Sequence, residues 1–304
     1  MKLDGRRESS NVEDRRSGGY SSSSGSRMST GKKGGCITII VAIVGLFIGM
    51  KTGNWGLFQS ATDGTFSTTT TEATTTRTST GSSKQSDELA SFASKILAST
   101  EDVWTNIFKN SGMQYHSPKM VIFEDAVSTA CGDASSSTGP FYCSGDKKLY
   151  LDLSFFATMK NQLGASGDFA YAYVIAHEVG HHIENELGLL SQLHRQMDQC
   201  RTEAEANKIS VRIELLADFY AGIWGYYENK TFKSMEDGDL EEAINCAHQI
   251  GDDYLQKSAG YRQVRPEAFT HGTSQQRMKW LKLGLTTGDI SKGNQILSLP
   301  ESQL

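Results

Sequence analysis

The segment Tyr173-Val174-Ile175-Ala176-His177-Glu178-Val179-Gly180-His181 is apolar apart from three ionisable side chains, and that combination narrows what the chain around it can build. An apolar run of this kind reads as a buried helix. Buried imidazoles and carboxylates are costly unless they pair with one another or ligate a metal ion. Residues four apart share a helix face, so His177 and His181 can direct ring nitrogens at one ion with Glu178 beside them. This is a zinc geometry with a carboxylate placed as general base. Gly180 costs about 1 kcal/mol against alanine in a helix interior, a cost that makes sense if another element packs closely there.

A catalytic zinc normally has three protein ligands and one open position. The longer pattern His-Glu-x-x-His-x-x-Gly-x-x-His is not met, because position 184 is Glu and position 187 is Leu. Downstream, Val211 to Trp224 (VRIELLADFYAGIW) places Glu214 and Asp218 four apart on one face of a second apolar helix. Glu214 is the expected third ligand. Asp218 is expected to accept a hydrogen bond from the far ring nitrogen of a ligand histidine and so fix its tautomer. Glu184, Glu186, Glu203 and Glu205 are rival ligands, but the first two share the motif helix and the others lack apolar surroundings. The opposing reading makes the histidines ordinary helix-face residues and pairs Glu214 and Asp218 with Arg212 on a solvated face. Two apolar helices with the same polar spacing argue against it.

The chain around these helices has 304 residues and a formal net charge of -5, with no basic footprint for nucleic acid. Residues 36 to 50 (CITIIVAIVGLFIGM) form an uncharged apolar run preceded by Lys32 and Lys33. At about 15 residues it is short for a span, so the anchor is taken to extend to residue 58. The basic residues before it place residues 1–35 in the cytoplasm as a leader and put the rest outside the cytoplasmic membrane. Residues 59–86 are dominated by Thr, Ser and Gly and read as a flexible linker. The globular domain is expected over 87–304. Its opening helix or helices cover Asp87 to Lys109, and short strands fall at Met120 to Phe123 and Leu149 to Leu153. Helical blocks follow near 154–163, 168–187, 202–228, 239–257 and 266–284. This is a mostly helical α+β domain with a small sheet. Of five cysteines, Cys131, Cys143, Cys200 and Cys246 lie beyond the apolar run. In an oxidising compartment they pair most simply as Cys131 with Cys143 and Cys200 with Cys246, though other pairings and buried free thiols stay open.

Several segments together resemble the YpfJ-like neutral zinc metallopeptidase family of bacteria: GRRESSNVEDRR (Gly5 to Arg16), GPFYC (Gly139 to Cys143), LYLDLSFF (Leu149 to Phe156), GDFAYAYVIAHEVGHHIENELG (Gly167 to Gly188), RIELLADFYAGIW (Arg212 to Trp224), IGDDYLQ (Ile250 to Gln256) and FTHGTSQQR (Phe269 to Arg277). The resemblance implies a membrane-anchored, zincin-like domain with Zn2+ on His177, His181 and Glu214, and Glu178 as base. One departure is Phe219, where the family pattern often has Cys, which leaves Cys246 as the substitute partner for Cys200. The implied activity is hydrolysis of a peptide or protein substrate by zinc-activated water. The oxyanion donor is expected to be His271, from its place in the FTHGTSQQR segment, with Tyr220 and Tyr226 as alternatives. His116, His194 and His248 are expected at the surface, and His182 is expected to point away from the site. The alternative function is a non-catalytic extracytoplasmic binding or scaffold module stabilised by zinc. No feature of the sequence specifies an oligomeric state.

Overall fold

Helix α3 (Asp168–Glu186), which carries the His-Glu-x-x-His segment, is buried along most of its length because apolar residues cover it all round: Phe169, Tyr173, Ile175, Val179 and Ile183 are each at most 2 % exposed. A computed structural model describes residues 1–16 and 83–304. Around α3 stand α1 (Lys84–Asn110), α2 (Ser154–Thr158) continued by a π-helical turn (Met159–Leu163), α4 (Leu189–Asp198), α5 (Glu203–Phe232), α6 (Asp239–Gln249), α7 (Asp252–Ser258), α8 (Ser274–Thr287) and α9 (Asn294–Ser298). Helix α5 is the central element and packs most extensively against α8 and α3. Its start is set by a capping box in which Thr202 accepts from the Glu205 amide. Against α8 it packs backbone to backbone, with Gly222 facing Gly284. Trp104, Trp224, Trp280, Phe169 and Phe219 fill the core with their side chains almost wholly buried.

The four-stranded sheet has the order β1 (Val12–Asp14), β2 (Lys119–Phe123), β6 (Lys148–Asp152), β5 (Phe141–Cys143), and β3 (Ala126–Thr129) and β4 (Gly132–Ser135) form a separate hairpin. Strands β2 and β6 run parallel with Met120 opposite Leu149, while β5 returns antiparallel to β6 and forms an edge. The expected strands and helical blocks are found with shifted ends. Helix α4 lies where no helix was expected. The block near 239–257 is broken into α6 and α7 at Ile250 and Gly251, where a side chain on Gly251 would collide with the start of α8 at Ser274. The domain also starts earlier than Asp87, since α1 is capped by the Ser83 side chain, which accepts from the Ser86 amide at 3.2 Å.

Residues 1–16 are part of this fold and do not form a separate leader. β1 pairs parallel with β2, Val12 opposite Met120. The Ser9 hydroxyl donates to the Glu101 carboxylate at 2.6 Å, and the Arg6 guanidinium donates to Glu228 Oε1 at 2.7 Å. The Met1 amino group pairs with Asp168 at 2.7 Å and Asp239 at 3.3 Å. The expected anchor at 36–58 and nearly all of the linker at 59–86 lie outside the described residues. Among the described residues, no helix is long and apolar enough to cross a membrane.

The Cys131–Cys143 disulfide is present, with Cα atoms 5.9 Å apart. The expected Cys200–Cys246 bond is not formed. Cys246, on α6, is fully buried in the core, whereas the Cys200 thiol sits past the end of α4 and donates to the Gln196 carbonyl. Phe219 is fully buried.

Glu228 is wholly buried and takes donors from Arg6, on the leader, and from the Ser99 hydroxyl. Arg6→Ala leaves that carboxylate without its cation, and truncating one partner of a buried pair costs about 3–5 kcal/mol. Denaturant unfolding of the variant should show a loss in that range. A midpoint equal to wild type would mean that the leader is not bound to the domain.

Candidate metal centre

Helices α3 and α5 meet at Gly180. A Cβ placed there would lie 2.8 Å from the Ala217 carbonyl oxygen and 2.9 Å from its Cα, so only glycine lets the two backbones approach this far. The approach sets Glu214 and Asp218, one turn apart on α5, opposite His177 and His181 on α3. His177 Nε2 lies 3.2 Å from Glu214 Oε2, and His181 Nε2 lies 3.7 Å from Glu214 Oε1. Each of the three residues offers one ligand atom within 4.8 Å of the others, and all three are buried. A tetrahedral ion with bonds of about 2.0–2.1 Å separates its ligand atoms by roughly 3.4 Å, and the two imidazole-to-carboxylate spacings, each to a different Glu214 oxygen, lie close to that value. Two imidazoles and one carboxylate are also the donor set of a catalytic zinc with an open position. The residues fit the metal.

The other ring nitrogens are held by carboxylates. His177 Nδ1 donates to Asp218 Oδ1 at 2.8 Å, and His181 Nδ1 donates to Glu184 Oε2 at 3.0 Å, so both rings present Nε2 to the centre. Asp218 is itself fixed. Arg277 of α8 grips it through Nε to Oδ2 and Nη2 to Oδ1, both at 2.8 Å, and the Tyr173 hydroxyl donates to Oδ1 at 2.6 Å. Burial alone would raise the Asp218 pKa, but Arg277 and His177 hold it well below the usual carboxylate range. Burial likewise opposes charge on His177, and Asp218 overrides it, lifting the imidazolium to about 10. Four buried carboxylates (Glu178, Glu184, Glu214 and Asp218) surround two imidazoles and one guanidinium. In the metal-free protein the carboxylates favour protonated imidazoles; a divalent cation held by His177, His181 and Glu214 would take the place of those protons.

Glu178 stands beside the ligands, 5 % exposed, and its Oε2 has no hydrogen-bond partner among the described residues. Burial raises its pKa above the usual carboxylate value, partly countered by the two histidines. A desolvated carboxylate with a vacant oxygen is suited to taking up a proton.

His271 lines the same cavity as His177, Glu178 and Glu214. Its loop is tied down by Asp252, whose Oδ2 accepts the amides of Thr270 and His271 at 2.7 Å and of Gly272 at 3.0 Å, while Oδ1 faces His271 Nδ1 at 3.1 Å. The two tyrosine alternatives are elsewhere: Tyr220 packs edge-on against Trp104, and Tyr226 lies under Gly288 at the far end of α5. Of the rival ligands, Glu184 backs His181, Glu186 pairs with His116 and Lys147, and Glu203 and Glu205 sit in the first turn of α5. Arg212 does not pair with Glu214 or Asp218; it donates to the Ile296 and Leu299 carbonyls. His116 is exposed and His194 and His248 are half-buried. His182 turns away from the centre, as expected, its Nε2 donating to the His116 carbonyl at 2.6 Å. The sequence alone does not show the roles of Glu184, Arg277, Tyr173 and Asp252. For Glu184 the available signal was its place three residues after His181 on the same helix; the others had none beyond their segments.

A family model described as "Putative neutral zinc metallopeptidase" matches residues 1–296. The chain belongs to that family. It is 46 % identical over 301 residues to the uncharacterised protein YpfJ of Escherichia coli K12, covering 97 % of this chain and 98 % of that protein. It is also 39 % identical over 201 residues to an uncharacterised protein of Mycobacterium tuberculosis H37Rv, covering 63 % of this chain and 65 % of that one. No solved structure matches the chain.

Gly180→Ala forces α3 and α5 apart at the point that brings the three ligands together. Over-packing of this kind costs about 1–3 kcal/mol. Zinc affinity of the variant, measured by competition with a chelator, should fall at least about tenfold. Unchanged affinity would show that the helix contact does not set the site.

Proposed function

We propose that this protein is a zinc-dependent peptidase that hydrolyses peptide bonds, with His177, His181 and Glu214 as metal ligands and Glu178 as general base. The observation that carries the reading is the convergence of two Nε2 atoms and the Glu214 carboxylate beside the vacant Oε2 of a buried Glu178. A zinc ion bound there supplies the Lewis acidity that makes water reactive near neutral pH and polarises a carbonyl. Glu178 takes the proton from that water as it attacks and passes it to the departing amine nitrogen. His271 Nε2 donates to the oxyanion, its ring held in place by Asp252 on Nδ1. Asp218 and Glu184 keep the ligand imidazoles in the tautomer that leaves Nε2 free for the metal, and Arg277 keeps Asp218 ionised.

Glu178→Gln removes the base and keeps the ligands. Peptide cleavage should fall by about 10²- to 10⁴-fold while zinc stays stoichiometric. A variant that cleaves as fast as wild type, or a wild-type protein that holds zinc yet cuts nothing in a broad peptide library, sinks the proposal.

We also propose that the domain works outside the cytoplasmic membrane and that residues 1–16 share its side. The Cys131–Cys143 disulfide favours an oxidising compartment. The β1–β2 pairing and the Arg6–Glu228 ion pair need leader and domain together, so the opposite-sided arrangement expected from the basic leader is set aside. Protease added to spheroplasts should digest both regions, detected with an antibody against each. Protection of one alone defeats the shared side, and protection of both defeats the outside location.

A further inference from the structure

Beside the metal centre, α2, its π-helical turn, α3 and the α6–α7 junction enclose a cavity with about 710 Å³ of empty space, mouth included. One end is the centre itself, where His177, Glu178, Glu214 and His271 reach the lining. The wall away from it is made by Phe155, Met159, Leu163, Val174, Ile250 and Leu255. Met159 and Leu163, four residues apart, both face it, and the turn that carries them is wound as a π-helix, a form frequent at functional sites.

Charge is absent from that wall in any usable form. Arg277 borders the cavity, but its Nε and Nη2 are committed to Asp218, and its Nη1 faces the Ile250 carbonyl at 3.3 Å. The Tyr173 hydroxyl is likewise committed to Asp218. A charged side chain entering here would lose its water and find no partner, whereas an apolar one would exchange water for six hydrocarbon or thioether walls. The cavity has room for several water molecules, which an entering side chain would displace.

We propose that this cavity is the specificity pocket, and that it takes a large, uncharged apolar side chain of leucine or phenylalanine size from the residue adjoining the scissile bond. The inference rests on the peptidase reading and extends it to the class of substrate. Alanine or glycine at that position would leave the wall exposed, and aspartate or lysine would be rejected. Burying one such side chain corresponds to roughly a 10- to 100-fold preference over alanine.

The test is binding of short peptide hydroxamates to the zinc-loaded full chain, followed calorimetrically, with leucine, phenylalanine, glycine or aspartate as the side chain. Cleavage of matched peptides is measured alongside. The leucine and phenylalanine compounds should bind roughly 10- to 100-fold more tightly than the glycine and aspartate ones. Met159→Trp, which fills the cavity, should shrink that ratio to about threefold or less with zinc still stoichiometric. If Met159→Trp does not fold, Met159→Ala serves instead, and a tryptophan hydroxamate added to the series should then gain on the phenylalanine one, no gain counting against the pocket. Equal binding of all four compounds by wild type, or preference for aspartate, overturns the pocket. Apolar selectivity without any cleavage supports the pocket and defeats the peptidase reading, whereas cleavage without selectivity does the reverse. A chain that retains no zinc sinks the metal centre and this proposal with it.

Discussion

The backbone contact between Gly180 and Ala217 is the constraint on which the site depends. Two helices separated by ordinary side chains would hold Glu214 too far from His177 and His181 for one small ion to bridge them. With glycine at the crossing, the carboxylate lies within 3.2 Å of one imidazole and 3.7 Å of the other. The same crossing brings Asp218 to the back of His177, so one missing side chain places both a ligand and the group that orients another ligand. The close approach of α8 to α5 at Gly222 and Gly284 repeats the device on the opposite face of α5 and delivers Arg277 to Asp218.

Much of this was legible in the sequence because it is local. His177 and His181, and Glu214 and Asp218, are each four residues apart, and helical geometry alone makes each pair share a face. The presence of Gly180 in an otherwise apolar helix pointed to a close neighbour. What could not be read was long-range pairing. Arg277 and Asp218 are 59 residues apart and His271 and Asp252 are 19 apart, and no periodicity records that such residues meet. Glu184 looked like a competing ligand because its residue type suits zinc; its direction, toward Nδ1 of His181, depends on the rotamer that packing selects. Cys200 and Cys246 were coupled by counting, and burial separates them.

The place of residues 1–16 in the fold is hidden from the sequence for a related reason. Val12-Glu13-Asp14 has only one apolar residue, and the segment around it is strongly charged, so it carries neither helical nor strand periodicity. Its place in the sheet comes from backbone pairing with β2 and from ion pairs whose partners lie on α1 and α5. Composition describes the solvent a segment would prefer alone, and here the preference yields to partners that exist only once the domain is assembled.

That arrangement bears on how the chain reaches its native state. β1 is made first, yet the strand it pairs with begins at Lys119, 105 residues after Asp14 (119 − 14). At about 5–20 residues per second, a ribosome needs roughly 5–20 s to supply it. For that interval the leader is an unpaired strand with exposed backbone donors and acceptors, the condition under which wrong pairing is most easily made. Its charges, Lys2, Asp4, Glu8, Glu13, Asp14 and four arginines among the first 16 residues, keep the segment hydrated while it waits. The same residues that disguise the strand in the sequence therefore protect it during synthesis, and β1 waits longer for its partner than any other strand of the sheet.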